Sequence, residues 1–284
     1  GFTDPVIVLG TGAGSSVRKD NCNDAMGIGS TVSGGYCNLA NGFSSSIGGG
    51  WCNTTLDWKS TIAGGDGNYT DNQSCWSTIG GGRCNYTACN YSTIGGGYCN
   101  TSSGKYSTIS GGRKNTSIAS SLGLSSYQTI GGGFSNFIGN SSVYSTISGG
   151  YCNTVVNYTC VATIGGGRRN VIPGCYSTIS GGYKNQVNTE CATIGGGYGN
   201  YINYYSNGST IGGGHCNLVN YNAYCSTISG GYCNMVYGQC STISGGYMNE
   251  ACGYISTISG GYHNAAIGNC SFIGGGGRNT ISQY

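Results

Sequence analysis

The chain has 284 residues, of which 58 are Gly and 2 are Pro; 7% are charged and the net charge is +3. So much Gly with so little Pro excludes collagen, and the regular return of Ile and Tyr excludes a disordered Gly-rich linker. Basic residues are scattered, in short pairs such as Arg168-Arg169, so no nucleic-acid partner is expected, and no apolar run reaches the roughly 18 residues of a membrane-spanning helix.

The chain opens at Gly1 with neither an initiator Met nor a charged leader, which reads as a processed chain or a fragment. Residues 1–16 stand outside the pattern that follows. Within them Phe2, Val6, Ile7, Val8 and Leu9 make an apolar, strand-like run, expected to add as a strand to the open end of another copy. Residues 17–284 read as one continuous repeat array, beginning with a degenerate copy from Val17 to Asn23 that lacks the glycines.

The repeated phrase is Ile-x-Gly-Gly-x-x-Asn. Its apolar residue falls at Val32, Ile47, Ile62, Ile79, Ile94, Ile109, Ile130, Ile147, Ile164, Ile179, Ile194, Ile211, Ile228, Ile243, Ile258 and Ile273, and Asn follows six residues later in all sixteen, from Asn38 to Asn279. Two residues after each Asn stands a small or β-branched residue, from Ala40 and Thr55 to Ile202 and Ile281, the kind that fits a pleated, half-buried surface.

The Asn-to-Asn spacing is 15 in most copies, 17 in five and 21 in one, so each insertion adds an even number of residues. Side chains along a strand alternate faces with period two, and an even insertion leaves inside and outside unchanged. The extra residues all precede the next Ser-Thr-Ile, which places a variable loop on one edge. A helix is excluded because each interior Gly would cost about 1 kcal/mol. The expected fold is all-β: a single-chain β-solenoid, a narrow β-roll of about 16 coils of 15–17 residues, with two short strands per coil. At about 4.8 Å per coil it would be a rod of roughly 80 Å, with an Ile column inside and an Asn amide ladder at a corner.

If Ile points inward, its neighbours point outward. The preceding residue is Thr in fourteen of the sixteen copies, the exceptions being Ser46 and Phe272, and the following one is Gly, Ser or Ala63. This flat face of small residues suits a contact with another chain, as in steric zippers, or the ordering of water as in ice-binding solenoids; it also suits plain solvated surface. The slot after Gly-Gly is often aromatic: Tyr36, Trp51, Tyr98, Phe134, Tyr151, Tyr183, Tyr198, Tyr232, Tyr247 and Tyr262, with Arg83, Arg113 and Arg168 in the same slot elsewhere. Self-stacking along the array is the expectation, with sugar binding as the alternative.

Seventeen Cys in a chain without C-x-x-C and with only His215 and His263 argue for disulfides in an oxidising compartment rather than a metal site. Cys22, Cys37, Cys52, Cys84, Cys99, Cys152, Cys216 and Cys233 stand just before the repeat Asn; the other nine fall in the variable loop. Four copies hold one of each kind, suggesting Cys84–Cys89, Cys152–Cys160, Cys216–Cys225 and Cys233–Cys240. Adjacent coils could join Cys22–Cys37, Cys52–Cys75, Cys175–Cys191 and Cys252–Cys270, leaving Cys99. Eleven Asn-x-Ser/Thr sequons are candidate glycan acceptors: Asn72, Asn90, Asn140, Asn157 and Asn207 in loops, Asn53, Asn68, Asn85, Asn100 and Asn115 at the ladder position, and Asn269. A buried ladder Asn could not carry a glycan, so the five loop positions are preferred.

Chemistry is sparse. The eight carboxylates form no recurring pair, the two His support no triad, and Gly-Gly-Gly runs lack the Lys of a phosphate loop. Asp20-Asn21-Cys22-Asn23-Asp24 offers oxygens but lacks the longer calcium-loop pattern. No catalytic residue, cofactor or metal is expected, and the chain does not read as an enzyme.

Repeats such as Ser92-Thr-Ile-Gly-Gly-Gly-Tyr-Cys-Asn-Thr-Ser-Ser-Gly104 resemble the head repeats of trimeric autotransporter adhesins of the YadA type, and the resemblance covers nearly the whole chain. It implies a β-roll displayed outside the cell, often trimeric, that binds matrix or surfaces. The Cys content and the absence of a coiled-coil stalk point instead to a fibre-forming glycoprotein built on a similar roll. The last coil ends at Ile281 and Tyr284 without a polar cap, an edge expected to meet the apolar start of the next copy head-to-tail. The sequence therefore reads as a secreted structural subunit of an extracellular filament or cell-surface appendage. An adhesin head binding a surface or carbohydrate is the second reading, and an ice-binding protein the third.

Overall fold

The computed structural model describes residues 7–9, 16–18, 22–118 and 126–282, with the backbone alone for the first two segments. Phe2, Val6 and Tyr284 of the expected assembly set lie outside the described residues. Among the described residues every regular element is a strand, nearly all of two residues, wound as a β-solenoid of about seventeen turns. The chain divides into two units, Gly1–Tyr144 and Ser145–Tyr284.

In the first unit, one parallel sheet runs from Thr31–Val32 through Ser46–Ile47, Thr61–Ile62, Thr78–Ile79, Thr93–Ile94 and Thr108–Ile109 to Thr129–Ile130. The second sheet runs from Asp24–Ala25 to Phe137–Ile138. Like residues stand above like: Ile47 pairs with Ile62, and Ile62 with Ile79 across a 17-residue copy. The parity of the insertions explains why register survives, since a one-residue slip would turn Ile outward. The second unit repeats the plan from Thr146–Ile147 to Phe272–Ile273 and from Thr154–Val155 to Thr280–Ile281.

The core is one side chain deep. The Ile of the first sheet is buried in every coil, and the inward residue of the second sheet meets it. The two units differ in that second residue. It is Thr55, Thr70, Thr87, Ser102 and Ser117 in five successive coils of the first unit, between Ala25 and Ala40 at one end and Ile138 at the other, but Val155, Ile172, Val187, Ile202, Val219 and Val236 in the second, followed by Ala251 and Ala266. Hydroxyls facing Ile need partners. Thr55 Oγ1 donates to Ser45 Oγ at 2.9 Å, whereas the buried hydroxyls of Ser30, Thr70, Ser102 and Ser126 have none.

The corner after the first strand is built around Gly and Asn. At Gly50 φ is +94°, and an added Cβ would run into the carbonyl of Gly65 and stand 2.7 Å from Asn53 Nδ2. Only glycine leaves room for the next coil there. Asn53 Nδ2 donates to Gly49 O at 3.0 Å and Gly65 O at 2.9 Å, and its backbone N–H donates to Asn38 Oδ1 at 3.0 Å. The ladder includes Asn23, whose Oδ1 accepts the backbone N–H of Asn38 at 3.0 Å. The degenerate copy is thus a true coil: Ser16–Arg18 pairs in parallel with Thr31–Val32, Val17 beside Val32.

The strand Ile7–Leu9 pairs antiparallel with Ser16–Arg18 of its own chain, Val8 opposite Val17. The expected docking of this strand on another copy must therefore use its remaining edge or displace that pairing.

Candidate functional site

Two columns of residues in the left-handed backbone region run along the coils, one at each turn, and most are not glycine; some longer coils add a third such residue, as at Ser141 and Tyr158. The first precedes the ladder Asn: Cys37 (φ 53°), Cys52 (φ 52°), Cys84 (φ 55°), Cys216 (φ 54°), Cys233 (φ 52°), Met248 (φ 53°) and His263 (φ 53°) among others. The second stands two residues before the Thr of the next strand: Trp76, Tyr91, Tyr106, Tyr127, Tyr144, Tyr176, Cys225 and Cys240, and even the β-branched Val161 and Ile255. Left-handed backbone is unfavourable for β-branched residues, so the stacked coils impose it. Successive members interlock: Cys52 N–H donates to Tyr36 O, and Cys233 N–H to His215 O, both at 2.8 Å.

These columns set the surface chemistry. The slot after Gly-Gly forms the expected self-stacked ladder. Tyr198, His215, Tyr232 and Tyr247 lie 4.5, 4.8 and 4.9 Å apart in sequence, with planes within 7°. Arg113 lies between Tyr98 and Phe134, and Arg168 between Tyr151 and Tyr183, at 5.0–5.5 Å. Asp66 shares the slot and pairs with Arg83 at 3.1 Å. A second aromatic ladder runs along the loop edge of the first unit: Trp76, Tyr91, Tyr106, Tyr127 and Tyr144 stack at 4.8–5.1 Å with planes within 9°. Counted forward from Asn its offset shifts with each insertion, which hides it; counted back from the next Thr the offset is constant. In both ladders the ring faces are spent on neighbouring rings, and the edges face outward.

The cysteines are thiols in this structure. The geometry favours pairs between successive coils over pairs within one. Cys22 hydrogen-bonds to Cys37, as the Cys22–Cys37 expectation requires, but Cys216 stands beside Cys233 rather than Cys225. Likewise Cys160 N–H donates to Cys175 Sγ at 3.0 Å, and Cys240 N–H to Tyr224 O, next to Cys225. Stacked left-handed columns put neighbouring Cys about one strand spacing apart, within disulfide reach. The intra-coil set Cys84–Cys89, Cys152–Cys160, Cys216–Cys225 and Cys233–Cys240 would join opposite turns of one coil, whereas these contacts run between successive coils. Burial raises the Cys233 thiol, with Cys216 adding to it, and burial with Glu250 pushes the Cys252 thiol up to about 11.

The sequons separate by burial. Asn53, Asn68, Asn85, Asn100 and Asn115 are fully buried, with their amides committed to the ladder, so the folded coil offers no exposed acceptor there. Asn72, Asn157, Asn207 and Asn269 are exposed, and Asn90 and Asn140 half-buried.

One cluster escaped the sequence reading. His215, Cys216 and Cys233 bring one ligand atom each within 4.8 Å of one another. His215 and Cys216 are adjacent, but Cys233 is a full coil of 17 residues away, a spacing that only the solenoid turns into contact.

No protein-family model matches the chain, and no curated protein matches it. Among the described residues no helix is long and apolar enough to cross a membrane.

Proposed function

We propose that the chain is a non-enzymatic structural subunit of an extracellular filament or cell-surface appendage that assembles with copies of itself. The observation that carries this reading is where the adhesive groups point. Amides, ring faces and backbone donors are all directed along the coil axis to the next coil. Axial cohesion is a mechanical property, and rings stacked face to face leave no open face for a sugar, which disfavours the carbohydrate platform. The outward sheet offers Thr61, Thr78 and Thr129 in one unit and Thr163 and Thr193 in the other, short side chains over which a second flat sheet can approach. The resemblance to YadA-type head repeats agrees with display outside the cell, and glycans at Asn72, Asn157, Asn207 and Asn269 would suit that location.

An adhesin is the second reading, favoured by Tyr158, Tyr176 and Tyr205, which are 68%, 61% and 64% exposed on the loop edge of the second unit. Replacing Thr163 and Thr193 by Lys tests the first reading. Assembly measured by sedimentation should fall while the melting temperature of the single chain holds. Unchanged assembly would remove the threonine face from the contact.

A further inference from the structure

We propose that His215, Cys216 and Cys233 form a binding site for a thiophilic cation of the Zn²⁺ class. The three residues place one ligand atom each within 4.8 Å of one another. A tetrahedral ion with Zn–S near 2.3 Å and Zn–N near 2.0 Å needs ligand separations of roughly 3.5–3.8 Å, so small side-chain rotations close the site. The second observation is the imidazole itself. His215 Nδ1 is buried and has no hydrogen-bond partner. The ring is clamped between Tyr198 at 4.5 Å and Tyr232 at 4.8 Å, nearly parallel to both, so the stack fixes the plane in which its nitrogens lie. A buried polar atom without a partner is costly, and a ring that also offers a ligand nitrogen to two thiols is a group that a cation can satisfy.

The surroundings are of the same chemical kind. The column that supplies Cys216 and Cys233 continues with Met248 and His263, each interlocked with the coil before. Cys233, Met235, Met248, Asn249, Glu250 and His263 line a cavity of about 260 Å³. Both histidines of the chain and two of its three methionines thus fall on this stretch. Thiolate, imidazole and thioether select soft or borderline d10 ions over Ca²⁺ and Mg²⁺. Three protein ligands leave a fourth position of a tetrahedral ion for water or a further ligand, and Cys233 also lines that cavity. Binding breaks both S–H bonds and releases two protons to solvent, with no change of oxidation state, and it protects the pair from joining as a disulfide.

The test uses the full chain under reducing conditions, with Cd²⁺ as the spectroscopic probe through its thiolate charge-transfer absorption and Zn²⁺ as competitor. His215→Phe keeps a ring in the stack and removes the nitrogen. It should weaken the tightest Cd²⁺ equivalent by at least the roughly 10–100-fold that loss of even an outer-shell partner costs. The double variant C216S/C233S should lose that equivalent, whereas C84S/C99S, a stacked pair without histidine, should keep it. Circular dichroism of each variant checks that the coils are intact. Equal binding by His215→Phe and the parent, retention of the equivalent in C216S/C233S, or a Cys216–Cys233 disulfide in native material would each overturn the proposal.

Discussion

Asn185 donates its backbone N–H to the side-chain Oδ1 of Asn170 at 3.0 Å, one coil away. Asn170 in turn spends its Nδ2 on Gly166 O at 2.9 Å and Gly182 O at 3.1 Å, and its backbone N–H on Asn153 Oδ1. One amide thus ties the backbones of neighbouring coils at a fully buried corner.

Asn170→Ala leaves the Asn185 N–H and the Gly166 carbonyl without these partners, while the Gly182 carbonyl keeps the Arg168 N–H at 2.8 Å. At about 1 kcal/mol or more for each buried orphan, the variant should lose roughly 2 kcal/mol or more. Chemical unfolding measures it, and a loss below about 1 kcal/mol would show that the ladder is not what holds the corner.

Gly97→Ala should be more disruptive than its size suggests. At φ +93° the new Cβ would meet the Gly112 carbonyl and stand 2.8 Å from Asn100 Nδ2. Left-handed strain with the clash should cost roughly 2–4 kcal/mol, against near neutrality at Gly181, where an added Cβ meets nothing within 4 Å. Similar melting of the two variants would contradict the close-approach account.

Thr70→Val should stabilise. The Thr70 hydroxyl is buried without a partner, and replacing it by a methyl of similar shape removes a penalty of about 1–3 kcal/mol. The same reasoning ranks two runs of coils: Thr and Ser inward from Thr55 to Ser117, Val and Ile from Val155 to Val236. Hydrogen exchange should be faster at coils from Thr55 to Ser117 than at coils from Val155 to Val236, and the reverse order would refute the core argument.

Tyr86 should ionise late. Burial, followed by the hydrogen bond its hydroxyl donates to Asp71, pushes it up to about 12 from an ordinary 10. Because the folded value lies above the unfolded one, its contribution to stability is full below pH 10 and is lost as pH rises through 12. Asp71→Asn should lower the value while leaving it above 10, as followed by tyrosine carbon chemical shifts; an unchanged value would leave the carboxylate with no part in it.

The period, the Ile column, the Asn ladder and the loop edge were legible because each is a fixed offset in the chain, and the even insertions conserve the facing of strands such as Thr61–Ile62 and Thr78–Ile79. The left-handed columns were not. Backbone handedness at Cys52 or Tyr91 leaves no mark in residue type, so nothing in the sequence aligned Cys216 with Cys233 instead of Cys225. The Asn23 coil was uncertain because it lacks the glycines that announce the others. His215 has no Cys or His at metal-ligand spacing along the chain except Cys216, and the third group, Cys233, comes from one coil away.

The most direct test of the structural reading is electron microscopy of the native protein in physiological buffer. The account predicts long filaments with a regular axial repeat. Discrete, unassembled particles at all concentrations would contradict it and transfer the weight to a surface-binding head.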